Sequence, residues 1–400
     1  MLRTRILSSK TAAVCLLLCT VLFATSGSVS ASTAIPGPDG ITATNAVLMD
    51  VATGSILWGR QIDEPVVPAS LTKLMTLKLA LEAVDRGSIS LSDLVPVSVR
   101  AWRTGGSRMF LSPESQVPLE EILKGIAVVS GNDACVAVAE FLGGTVENFV
   151  SMMNARAQEI GLTSTRFVDP HGISDDNQIS ARDIAILARM YVIDHPWALE
   201  FHSLDSYTHT PVGEQPITQH NRNRLISTYE GADGLKTGFT QAAGYNLVAT
   251  AERAGTRFIG VVLGVRASSD YAGEHLRAQE MAQVLDHGFR NFTTLTLAAR
   301  DEVITDVRVY KGQSNSLMLV AHDNARCTVQ KGTESRVERV ISIDEPVIAP
   351  ISSGQVLGSI TLMLDGEQIA APVAIVAAND VGRGAFLKRL IDSIRLLFAR

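Results

Sequence analysis

Ser70 and Lys73 stand three residues apart in Pro68-Ala69-Ser70-Leu71-Thr72-Lys73-Leu74-Met75-Thr76. Pro65 and Pro68 lie just upstream, and Leu71, Leu74, Met75, Leu77 and Leu79 follow at helical spacing. The pattern predicts a helix that opens at the serine and runs to about Asp85, where Arg86-Gly87 stops it. Positions i and i+3 share a helix face, so the hydroxyl and the amine can meet. A hydroxyl at a helix start faces free N–H groups and the positive dipole end, which favours a developing alkoxide. A lysine beside such a terminus and other cations gives up its proton more readily and can then accept one from the serine. This is a nucleophile with its base. The same residues also read as a capping serine followed by a solvated lysine.

Two further stretches carry comparable chemistry. Pro118-Leu119-Glu120-Glu121-Ile122-Leu123 starts a helix whose apolar run is interrupted at Ser130-Gly131-Asn132-Asp133 and resumes from Ala134 to Phe141. A polar wedge between two buried helical pieces is costly unless its groups are bonded or used. Ser130 can relay a proton and Asn132 can donate to an amide carbonyl; equally, Asn132 or Asp133 can cap the second helix. Lys236-Thr237-Gly238 lies in a strand-like run before Gly244–Ala251 and Phe258–Val265. There it offers a cation, a hydroxyl and a glycine that lets a ligand approach the backbone, or else a strand start with a bulge. His171, in Asp169-Pro170-His171-Gly172, is a candidate base with no partner evident nearby, and reads more simply as a loop histidine bonding backbone.

The elements that must position these groups alternate. Short strands at Ala46–Asp50 and Gly54–Trp58 precede the Ser70 helix. Residues 94–118 are turn-rich, helices follow at Thr145–Ile160 and after Ser180 to about Ile193, and the K-T-G strand pairs antiparallel with its successors. Composition fits a globular chain long enough for two or three domains: 400 residues, 46% hydrophobic and 19% charged. Arg3, Arg5 and Lys10, an uncharged apolar run from Thr11 to Ala24, and Val29-Ser30-Ala31 read as a cleavable export signal over residues 1–31. Losing those three cations makes the mature chain more acidic than the full-length net charge of −6, which argues against a nucleic-acid partner. Cys15 and Cys19 leave with the signal; Cys135 and Cys327 form no disulfide framework, and Cys135 reads as a small buried hydrophobe. No histidine or cysteine spacing indicates a metal site, and no cofactor is expected.

In order and kind, S-x-x-K, S-x-N and K-T-G form the signature of penicillin-binding proteins and class A β-lactamases. From about residue 40 to its end the chain resembles the low-molecular-mass penicillin-binding proteins, the D-alanyl-D-alanine carboxypeptidases. Pro68–Lys73, Ser130–Cys135 and Gly244-Tyr245-Asn246-Leu247-Val248 carry the likeness. The resemblance implies a transpeptidase-like α/β (α+β) domain over residues 32–293, with an antiparallel sheet flanked by helices. It implies that Ser70 attacks the bond between two D-alanines at the end of a peptidoglycan stem peptide, with Lys73 as base and Ser130 passing the proton to the leaving amine. Asn132 would hold the substrate amide, and the backbone N–H groups of Ser70 and Phe239 would form the oxyanion hole. Lys236, Thr237 and Gly238 would complete the pocket, with Arg222 of His220-Asn221-Arg222-Asn223 on the terminal carboxylate. Arg222 lies one residue closer to Lys236 than the family pattern has it, and also reads as a surface loop charge. Covalent acylation by β-lactam antibiotics follows from the same chemistry. Class A β-lactamases need a glutamate with an asparagine after the second motif, and Phe167–Gly172 contains none. Rapid β-lactam hydrolysis is therefore not expected; D,D-endopeptidase action, which uses the same attack, stays open, and intact motifs disfavour a non-catalytic wall-binding role.

Beyond about Thr294 helical periodicity stops. Runs at Val303–Val309, Ser316–Val320, Glu338–Ile343, Gln355–Thr361 and Ala371–Val376 predict a small β-sandwich over residues 294–381. In residues 382–400, Phe386, Leu387, Leu390, Ile391, Ile394, Leu397 and Phe398 share one helical face, with Lys388, Arg389, Asp392, Arg395 and Arg400 opposite. Such a helix is too short and charged to span a bilayer but suits the anionic surface of the cytoplasmic membrane, on its periplasmic side; docking on the β-domain is the alternative.

Overall fold

Asn45–Asp50 (β1) and Ile56–Arg60 (β2) form a hairpin that joins three late strands, Ala232–Thr240 (β3), Gly244–Arg253 (β4) and Thr256–Val265 (β5), in an antiparallel sheet of order β2-β1-β5-β4-β3. The computed structural model describes residues 3–8 and 35–398, and this sheet lies in the first of two units, Pro36–Arg290. Side chains alternate across a strand, and the sequence uses both faces. Val47, Met49, Ile259, Val261 and Leu263 join one large core with the helices Lys73–Asp85 (α1), Leu119–Val129 (α2), Asn132–Gly143 (α3), Val146–Glu159 (α4) and Ala181–Asp194 (α5). Their neighbours Leu48, Phe258 and Gly260 meet Asp270–Asn291 (α6): Gly288 packs on Phe258 and Leu48, and Gly260 makes room for Met281. Strands buried on both faces explain the nearly unbroken apolar runs of the sequence.

Helix starts follow local chemistry. Thr145 and Ser180 accept hydrogen bonds from the N–H groups three residues on, at the heads of α4 and α5. The turn-rich stretch after residue 94 is more ordered than expected. Leu94–Pro96 pairs with Gln116–Pro118, and Val99–Arg103 forms a short helix capped by Ser98. Three-residue strands and a five-residue helix are too brief to leave a periodic signal.

The second unit holds Asn291 onward together with Arg3–Ser8, which runs parallel to the strand Val337–Ile343. Its main sheet contains Val303–Tyr310, Ser316–Ala321, Val337–Ile343, Val356–Leu364 and Val373–Ala377; a ribbon of Phe292–Ala298 and Ala325–Gln330 shares its core. The sequence reading has no strands at this ribbon, whose first strand begins directly where α6 ends. The reading of residues 1–31 as an export signal lies, Arg3–Ser8 apart, outside the described residues.

Phe386–Phe398 (α7) docks on this unit by its polar face. Buried Asp392 accepts a hydrogen bond from Lys311 N at 2.8 Å, and Lys388 Nζ donates to Gly312 O at 2.5 Å. Phe386, Leu387, Leu390, Ile391, Ile394, Leu397 and Phe398 point to solvent. Docking and an outward apolar face thus coexist. No helix among the described residues is long and apolar enough to cross a membrane.

Candidate active site

Ser70 lies in a single 3₁₀ turn, Ala69–Thr72, immediately before Lys73 opens α1. Asn246 on β4 ties this turn to the sheet: its Nδ2 reaches Val67 O and Pro68 O, both at 3.2 Å, while its Oδ1 accepts from Gly264 N. Ala69 takes a left-handed φ of 51°, an uncommon cost for a residue with a Cβ that recurs at functional sites. Two glycines allow neighbours to close on the turn. A Cβ on Gly238 would stand 2.9 Å from Pro68 O and 3.1 Å from Ser70 N, and one on Gly172 would collide with Ala69 O.

Lys73 is fully buried, with Nζ 2.8 Å from Ser70 Oγ and 2.5 Å from His171 O. Burial lowers its pKa to about 8, helped by the Arg222 charge and opposed by Cys135, Asp169 and Asp133. A substantial fraction is therefore neutral near physiological pH. The carbonyl of His171 accepts one N–H and directs the nitrogen toward the serine. Asp169 fixes that carbonyl's loop by accepting from the backbone N–H groups of His171, Gly172 and Ser174, and from Asn177 Nδ2. Burial pushes the Asp169 carboxyl up, but hydrogen bonds from His171 and the backbone leave it well below the usual carboxylate range. His171 does have a partner, contrary to the sequence reading: its Nδ1 lies 3.0 Å from Asp169 Oδ1.

Ser130 ends α2 in a left-handed conformation, φ 62°, and Asn132 starts α3. Both are buried, yet Ser130 Oγ and Asn132 Oδ1 have no hydrogen-bond partner among the described residues. Orphaned buried oxygens are rare, and here both residues line the cavity that Ser70 also lines. Asn132 Nδ2 is held by Gly105 O at 2.8 Å, which fixes the amide's direction. Neither Asn132 nor Asp133 caps α3, which follows Gly131 with no side-chain cap. The Asp133 carboxylate instead gathers the N–H groups of Met109, Phe110 and Leu111, besides that of Ala134, and so folds one wall of the cavity.

Lys236 and Thr237 on β3 are buried, and Gly238 faces the Ser70 turn. Burial, then the charges of Lys73 and Arg222, hold the Lys236 ammonium well below its ordinary pKa. Phe239 is half exposed and stacks on Tyr245, ring centroids 4.3 Å apart. Ser70, Ser130, Asn132, Thr237, Gly238 and Arg222 all line a cavity of about 330 Å³. Phe239 lines it too, whereas Lys73, Lys236 and His171 do not reach this wall; Lys73 lies directly behind Ser70.

Against known proteins, residues 31–267 match the family described as D-alanyl-D-alanine carboxypeptidase. The chain belongs to that family. Residues 292–383 match the C-terminal domain of penicillin-binding protein 5. D-alanyl-D-alanine carboxypeptidase DacC of Escherichia coli is 37% identical over 361 residues, covering 88% of this chain and 87% of that protein. Penicillin-binding protein 5 of Haemophilus influenzae superposes with a TM-score of 0.77 at 38% identity, over 87% of this chain and 100% of the other. Penicillin-binding protein D2 of Listeria monocytogenes in its ampicillin-bound form gives 0.55 at 29% identity, over 62% and 98%.

Two groups at this carboxypeptidase-family site have roles that the sequence does not mark. Asp133 reads there only as a cap. Arg277, on α6, is buried at the cavity wall, donates to Arg222 O at 3.2 Å, and has its pKa lowered to about 10 by burial. Nothing in the local sequence marks it, because its partners are brought in from other elements. A separate grouping, Glu82, Asp194 and His195, places possible ligand atoms within 4.8 Å of one another. Lys78 Nζ stands 3.0 Å from Glu82 and 2.7 Å from Asp194, so an ammonium already takes the place of a cation there.

Proposed function

We propose that this protein is an exported serine D-alanyl-D-alanine carboxypeptidase that removes the terminal D-alanine from peptidoglycan pentapeptides through an acyl-enzyme on Ser70. The observation that carries the proposal is the 2.8 Å contact between Ser70 Oγ and a buried Lys73 of lowered pKa, at a cavity also lined by Ser130 and Asn132, whose side-chain oxygens are unpartnered among the described residues. Neutral Lys73 takes the Ser70 proton as Oγ adds to the carbonyl carbon. Backbone N–H groups of Ser70 and Phe239 receive the oxyanion, in positions that the close approach of Gly238 supports. The C–N bond then breaks, and the proton passes through Ser130 to the leaving amine, with Lys236 biasing its transfer. Water hydrolyses the ester, releasing the shortened peptide and returning the proton to Ser70. Asn132 binds the substrate amide, while Thr237, Arg222 and Arg277 bind the terminal carboxylate.

The same attack opens a β-lactam ring, in keeping with the ampicillin-bound Listeria relative. Fast turnover of that adduct requires a carboxylate free to activate water. Asp169, nearest in the chain to that role, has both oxygens engaged by its loop, which supports slow deacylation. Export through the signal at residues 1–31 and peripheral attachment by α7 would set the site on the periplasmic side of the cytoplasmic membrane. The outward apolar face of α7 supports that attachment. The test is incubation of mature protein and Ser70→Ala with a pentapeptide ending in D-Ala-D-Ala. D-alanine is expected from the wild type alone; none from the wild type, or equal release from both, overturns the proposal.

A further inference from the structure

β3 is the end strand of its sheet, and an end strand presents unpaired carbonyls and N–H groups along its free side. The Ser70 turn closes on this strand at Gly238. Just before Lys236, side chains from two other segments take up consecutive carbonyls. Asn223 Nδ2 donates to Gly234 O at 3.0 Å, and His202 Nδ1 lies 2.8 Å from Leu235 O. A carbonyl only accepts, so His202 carries its proton on Nδ1, and its Nε2 accepts from Tyr191 OH at 2.9 Å. His202, Tyr191 and Asn223 are all buried, and the His202 and Tyr191 rings meet edge to face. Burial lowers the His202 pKa to about 4, so no third cation is added beside Lys236 and Lys73 at neutral pH.

The same network reaches Arg222. Asn221 Nδ2 donates to His202 O and Leu204 O, and Asn221 N donates to Asp205 O. Asn221 and Asn223 thus clamp the loop on either side of Arg222, whose own carbonyl accepts from Arg277. One set of amide and imidazole groups therefore ties the lysine strand and the carboxylate-binding loop together.

We infer that His202, with Asn223, is a positioning residue for the proposed reaction: the two side chains occupy the free edge of β3 upstream of Lys236 and so hold Lys236-Thr237-Gly238 in register with Ser70. The inference rests on the function proposed above. An imidazole that merely filled the core would be replaceable by any side chain of its size. A positioning imidazole is replaceable only by a group that keeps the donor on Leu235 O.

Asparagine can put its Nδ2 where histidine has Nδ1; glutamine reaches the Nε2 position instead, and leucine supplies neither. The experiment measures the second-order acylation rate with a fluorescent penicillin, together with thermal unfolding, for wild type, His202→Asn, His202→Gln and His202→Leu. Expected is a rate for His202→Asn within about threefold of wild type, and a loss of at least about tenfold for the other two at equal folded fraction. Equal rates for folded Asn and Leu variants overturn the inference. Absence of labelling in the wild type would instead overturn the function it rests on. Should the His202 variants fail to fold, Asn223→Ala decides: about tenfold slower acylation in a folded protein is expected, and a wild-type rate refutes the idea.

Discussion

Raising the pH should switch on the nucleophile by deprotonating Lys73. Burial lowers this lysine from 10.5 to about 8, a change equivalent to about 3 kcal/mol. At pH 7 about one molecule in eleven then carries the neutral amine, against roughly one in 3,000 for an ordinary lysine. If attack by Ser70 requires that amine, acylation should quicken about fivefold from pH 7 to 8 and less than twofold from 8 to 9. The assay is the second-order rate of labelling by a fluorescent penicillin from about pH 6 to about pH 9.5, a range in which the penicillin carboxylate does not titrate. The Arg222 charge is among the causes that lower Lys73, so Arg222→Gln should move the midpoint upward whatever it does to the amplitude. A flat profile, or a midpoint near that of free lysine, would refute the assignment of Lys73 as base. The linked stability has a definite sign. Between about pH 8 and 10.5 the unfolded chain binds the proton that the folded chain has lost, so this group makes stability rise with pH over that window.

Three further outcomes follow from the packing. Gly238→Ala would thrust a Cβ against Pro68 O and Ser70 N, so acylation should fall by about 10²–10³, as for loss of an oxyanion donor, while the unfolding temperature moves little. Asp133→Ala strips the partner from the N–H groups of Met109, Phe110, Leu111 and Ala134; denaturant unfolding should report a loss of about 3–5 kcal/mol. Leu390→Glu with Ile394→Glu charges the outward face of α7. Binding to anionic vesicles should be abolished in a flotation assay, with penicillin labelling of Ser70 unchanged.

Spacing alone determined a good deal. A serine and lysine one turn apart, a polar break inside an apolar helix and K-T-G before two apolar runs were legible because helices and strands have fixed periods. Those periods predicted α1 ending at Asp85, α4 and α5 starting beside Thr145 and Ser180, and the antiparallel β3-β4-β5 meander. Family likeness added a role for Arg222 and favoured the catalytic over the capping reading of Ser130 and Asn132, which spacing left open. What the tertiary structure alone decided are contacts between distant segments. His171 offers Lys73 a backbone carbonyl rather than an imidazole, a role invisible in a residue type. Asp133 looked like a cap but collects backbone donors from residues 109–111. Arg277, His202 and Asn223 acquire meaning only where α6, the turn before residue 203 and the loop after His220 converge on β3 and Arg222. Local sequence sets which side chains share a face. Burial and long-range hydrogen bonds set their protonation and aim, and these depend on segments as far as 179 residues apart, the separation of Asn246 and Val67 beside the Ser70 turn.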